Sequence, residues 1–182
     1  MFKFLGPFHP QIVHTPIVLI IFSAFFALVG KLMDRDWLRK TSVVLLVFGF
    51  LGAFLAVQSG EPAHRVPEHQ QGVPEEAIDT HEMLGERTMY LSGLALIALF
   101  AASRLKKGAV ASAVGALALV LQLLAAGAVA YTGYLGGKLV FDHGANVKVD
   151  GQLVKSIHAK PENAEKPGAD KDEDEEKAEP GK

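Results

Sequence analysis

No cysteine occurs anywhere in the 182 residues. That absence removes structural disulfides, thiolate-ligated zinc, iron–sulfur clusters, thiol catalysis and covalently attached c-type haem. Fixed positive charge is scarce over long stretches: between Gly60 and Glu86 only Arg65 carries one. No basic patch interleaved with aromatics is present, so there is no footprint for nucleic acid. A glycine-rich phosphate loop, an HExxH pair and a nucleophile elbow are also missing, which leaves an independent enzyme poorly supported.

What is present is apolar. The chain is 49% hydrophobic, with a mean hydropathy of +0.24 despite an almost wholly charged C-terminal stretch. Four apolar runs stand out, Ile12 to Val29, Thr41 to Val57, Thr88 to Ala102 and Val110 to Tyr134. Extended into their polar flanks, they predict spans over about 12–30, 41–59, 82–103 and 109–135, close to the ~17–25 residues a spanning helix needs. The expected fold is all-α: an up-down-up-down bundle of four transmembrane helices over residues 1–137. A small extracytoplasmic hairpin segment follows at 138–158, with Asp150-Gly151 as its two-residue turn. Residues 159–182 read as a disordered acidic tail, too polar to offset the entropy of ordering.

Short loops set the expected orientation. Lys31, Arg35, Arg39 and Lys40 lie between spans one and two, and Arg104, Lys106 and Lys107 between spans three and four. The positive-inside rule places both loops in the cytoplasm, and both termini and the long loop outside, on the periplasmic face of a bacterial inner membrane. The first span lacks the basic flank and small-residue cleavage site of a signal peptide. Small residues recur at helical spacing, Gly49 with Ala53 and Gly52 with Ala56, as close helix packing in lipid requires. Gly136 and Gly137 are expected to end the fourth helix.

All seven histidines fall on the outer side of this topology. His14 stands at the start of span one, with Thr15 as a cap and Pro16 at the first helical position; alternatively the helix starts at Pro10 and Pro16 kinks it. His81 opens span three behind a capping box of Asp79 and Glu82. Spans one and three run in parallel and sit diagonally, so these imidazoles share a depth. Two facing imidazoles can ligate one haem iron without cysteine, and Glu82 or Glu86 are placed to bond the far ring nitrogens. His9 reads as a neighbour rather than an equal candidate. His9, His14, His81 and His143 together form an alternative set for copper, zinc or iron. His64 and His69, in a loop rich in proline, glycine and glutamate, are expected to be solvated. A third alternative assigns the histidines only interfacial hydrogen bonds, in a scaffold or assembly subunit.

The motifs "FHPQIVHTPIVL" at the start, His81 at the opening of span three and "TGYLGGKLVFDHGANV" after span four resemble a family of bacterial four-helix membrane proteins catalogued as a domain of unknown function. The resemblance covers about residues 5–150. It implies a redox anchor bearing haem b, with electron transfer to a quinone or to a periplasmic or membrane redox protein. The implied role maps onto His9, His14, His81 and perhaps His143.

Overall fold

The computed structural model describes residues 3–65, 70 and 72–154; the acidic tail, His69 and His158 lie outside them. A 3-10 turn, Lys3–Phe8, leads into a short helix α1, His9–Ile12, and then into α2, His14–Leu32. The long helices α3, Asp36–His64, α4, Glu75–Arg104, and α5, Ala109–Phe141, follow. A two-stranded antiparallel hairpin pairs Lys148–Val149 with Gln152–Leu153. Its turn is Asp150-Gly151, both residues at positive φ (+52° and +79°), the geometry that favours this dipeptide.

α2 packs on α3 and α5, and α4 packs on the same two helices, so α2 and α4 are diagonal. All four long helices have the length and hydropathy to cross a membrane. The burial pattern is inverted relative to a protein folded in water. Large apolar side chains face outward, with Phe48 57%, Ile97 66% and Phe100 61% exposed. The interior holds alanines together with Ser23, Ser42, Ser59, Thr88, Ser92 and Gln122. Such an apolar exterior is stable only against hydrocarbon, and the chain is an integral membrane protein.

The helices outrun the apolar stretches, and each extension has a physical reason. α4 starts at Glu75 behind Pro74, where Glu75 and Glu76 lie in the first turn and favour the helix dipole. Asp79 and Glu82 therefore form no capping box, and His81 falls in the second turn. α5 passes through Gly136 and Gly137 to Phe141, because Leu139 in its added turn packs on Ile78 and Ala145. α3 continues past Gly60 to His64, where the 3-10 turn lies against Pro62. α2 starts one residue before Thr15, without a side-chain cap, and Pro16 occupies its first turn, where no amide hydrogen is needed.

In lipid no hydrophobic drive brings helices together, so close contact and internal hydrogen bonds hold them. A Cβ on Gly49 would stand 2.8 Å from Ile20 Cγ1, and one on Gly52 would stand 3.1 Å from Pro16 Cδ. Gln122 of α5 joins three helices: its Oε1 accepts from Ser23 Oγ and Ser42 Oγ, each at 3.0 Å. At the end carrying the basic loops, Arg39 donates to Asp34 Oδ1 at 3.1 Å and to Gly30 O at 3.4 Å, stapling the α2–α3 turn.

Gly49→Val is expected to destabilise the bundle by about 1–3 kcal/mol through overpacking. Gly115→Ala, where nothing lies within 4 Å, should instead stabilise the helix by about 0.5–1 kcal/mol, since alanine is the better helix former. Equilibrium unfolding in mixed micelles measures both.

Candidate functional site

The site is built at the end of the bundle opposite the basic loops, where the polar extensions of the helices meet. His9 comes from α1, just after the 3-10 turn, in which a Cβ on Gly6 would stand 3.1 Å from the Pro62 carbonyl carbon. That packing leaves little room for a side chain at Gly6 and carries His9 over the end of α3. His9 Nδ1 lies 2.8 Å from Ser59 Oγ, and Ser59 gives its own proton to Ala56 O at 2.9 Å. The hydroxyl oxygen therefore accepts, and His9 Nδ1–H donates.

His81 of α4 donates from Nδ1 to Thr132 O of α5 at 3.1 Å. The His9 and His81 rings approach to 6.4 Å between centroids and stand almost perpendicular, at 87°. Each has a glycine beside it: Gly60 would bring a Cβ to 3.6 Å from His9 Cε1, and Gly136 to 2.9 Å from His81 Cε1. A side chain at 136 would push the ring away, which explains a glycine inside a helix. His64, at the end of α3, bonds through Nδ1 to Glu82 Oε2 of α4 at 3.1 Å, and its side chain is only 12% exposed. His64 is within electrostatic reach of both other rings.

One chemical pattern unites these groups. A carbonyl, a carboxylate or a hydroxyl whose proton is already committed can only accept, so each Nδ1 carries the hydrogen. In the neutral imidazole this leaves Nε2 as the basic position. Such anchoring of the second nitrogen is what orients imidazole ligands of metal centres.

The structure redistributes the roles expected from the sequence. It brings His9, not His14, to His81. His14 is exposed on α2, with its Nδ1 held by Pro10 O at 2.6 Å. Glu82 does serve an imidazole, but that of His64; Glu86 is exposed on α4. His64, expected in solvent, is instead hydrogen-bonded to Glu82 across two helices. His143 lies beyond α5 and lines a separate cleft with Lys138 and Glu76. Among the described residues no group of three His, Cys, Asp or Glu side chains is disposed to hold a metal ion. The four-histidine cage therefore has no counterpart among them.

A cap over this end escaped the sequence reading. Gln70, buried in the α3–α4 connection, donates to Gly144 O at 2.8 Å and Val154 O at 2.7 Å. Its Oε1 accepts from the Asn146 amide at 2.9 Å. One side chain thus ties the long loop to the segment after α5. No local pattern marks it, because its partners lie more than 70 residues away.

Fold and site together define a polytopic helical membrane protein with an imidazole cluster at one mouth of its bundle. The chain belongs to the family described as "Predicted membrane protein (DUF2231)", whose model matches residues 6–149. No curated protein and no solved structure matches it.

The tautomers are directly testable. In ¹⁵N-histidine NMR spectra at pH 8, His9, His64 and His81 are expected as Nδ1–H forms, against the Nε2–H preference of free imidazole. Gly136→Val should return His81 alone to the solution-like pattern.

Proposed function

We propose that this protein is a b-type haem electron carrier of the bacterial inner membrane, with His9 and His81 as the two axial ligands. The observation that carries the reading is the pair of perpendicular rings 6.4 Å apart, each with its Nδ1–H already bonded. Two imidazoles on opposite sides of one ion at a metal–nitrogen distance of about 2.0 Å have centroids roughly 6 Å apart, whereas tetrahedral ligands stand closer, at about 5 Å. The separation suits a trans pair. A centre with only two protein ligands has to bring its remaining ones, as a porphyrin does. With no cysteine in the chain, attachment rests on the imidazoles alone. Bound haem would supply a one-electron centre.

The chain's own residues position and shelter that centre. Ser59 and Thr132 fix the two rings through their Nδ1–H groups, and Gly60 and Gly136 let the rings lie against α3 and α5. The His64–Glu82 pair closes one side between α3 and α4, and the Gln70 cap covers the end of the bundle. Lys31, Arg35, Arg39, Lys40, Arg104, Lys106 and Lys107 cluster around the opposite turns, which supports a cytoplasmic position for that end and a periplasmic one for the histidines.

The deciding measurement is a reduced-minus-oxidised absorption spectrum of protein expressed with ample haem. A sharp α band is expected in the wild type and in His14→Ala, and its loss in His9→Ala and His81→Ala. Ser59→Ala should weaken haem retention by about tenfold or more, as loss of a ligand's orienting partner does. A wild-type protein without the band would overturn the reading. Loss of the band in His14→Ala but not in His9→Ala would move the first ligand back to His14.

Orientation is checked by cysteine labelling, for which the cysteine-free chain is a clean background. Gly151→Cys should react with a membrane-impermeant maleimide in intact spheroplasts, and Lys106→Cys only after lysis.

A further inference from the structure

We propose that the cleft between the histidine-end portions of α4 and α5 binds the ring of a lipid-soluble quinone. The cleft is open to the outside and has a volume of about 250 Å³. That is below the ~300–1,000 Å³ of pockets for drug-sized ligands, and suits one substituted six-membered ring rather than a whole cofactor. Ala77, Leu135 and Leu139 supply an apolar wall; Glu76, Lys138 and His143 supply a polar edge. This pairing of surfaces matches a flat neutral ring that carries oxygen atoms at its rim.

Charge argues against an anionic headgroup as the occupant. Lys138 is offset by Asp142 at 4.0 Å, and Glu76 adds a second carboxylate at the edge. Lys138 also lies over the Tyr134 ring, 5.9 Å from its centroid, which keeps the ammonium beside the cleft. Tyr131 and Tyr134 are exposed, as in an interfacial aromatic belt, and Val140 and Phe141 present apolar surface nearby for an isoprenoid tail.

The cleft lies along the same stretches of α4 and α5 that carry His81 and its neighbour Gly136. Thr80 lines it and directly precedes His81; Leu135 lines it and directly precedes Gly136, against which the His81 ring packs. The choice of a redox-active ring rests on the haem reading, whereas occupancy of the cleft does not require haem.

The test is photolabelling of the full-length protein in nanodiscs with a short-chain azido-ubiquinone, with attachment sites mapped by mass spectrometry. Label is expected within residues 74–80 and 135–143, and excess unmodified short-chain ubiquinone should abolish it. Leu135→Trp, which fills the cleft, should remove the label, and Lys138→Leu should weaken apparent affinity about tenfold through the lost charged donor. Unsaturable label, label elsewhere, or label retained in both variants would overturn the proposal. Protection by phosphatidylglycerol but not by ubiquinone would overturn it in favour of a lipid phosphate. Protein prepared without haem should label equally. Saturable label in a protein that shows no α band even after expression with ample haem would overturn the haem reading alone.

Discussion

Helices immersed in hydrocarbon gain nothing by hiding apolar side chains from one another, so this bundle depends on how closely α2 and α3 can approach. Gly49 and Gly52 let the backbone of α3 lie against Ile20 and Pro16. That contact sets the register of the two helices along their whole length. One consequence lies at each end. Toward the basic loops, Ser23 and Ser42 come together on the Gln122 carbonyl. Toward the other end, Ser59 and Gly60 are presented to His9. A side chain at Gly49 would act on both, although neither is its neighbour in sequence.

The spans, the diagonal relation of α2 and α4 and the Asp150-Gly151 turn were legible because each follows from local pattern: run length, loop charge, or a dipeptide suited to positive φ. Helix ends were less so. Gly136 and Gly137 cost helix stability of the order of 1 kcal/mol each relative to alanine, which suggests a terminus when read alone. Packing of Leu139 with Ile78 outweighs that cost, and the His81 ring needs the space at Gly136. Likewise, Asp79 and Glu82 have the spacing of a capping box, yet Glu82 is engaged by His64 from another helix.

The candidate site was half legible. His81 could be singled out from its place at the start of a span. Its companion could not, since the choice between His9 and His14 turns on Ser59, fifty residues from His9. The short break between α1 and α2 lets the two histidines diverge, one inward and one to the surface. His64 was obscured for a similar reason: the proline in "GEPAH" suggests a loop, but α3 carries Pro62 within its last turn.

Between the imidazoles and the Gln122 junction lies an apolar layer of Ile20, Ala53, Ala125 and Val129, packed with Ile17, Met89 and Leu91. Along α2 it separates His14 from Ser23, along α3 Ser59 from Ser42, and along α5 Thr132 from Gln122. No chain of hydrogen-bonded side chains bridges this layer among the described residues. The imidazole end and the Gln122 junction are thus two separate polar centres, held apart by packed apolar side chains.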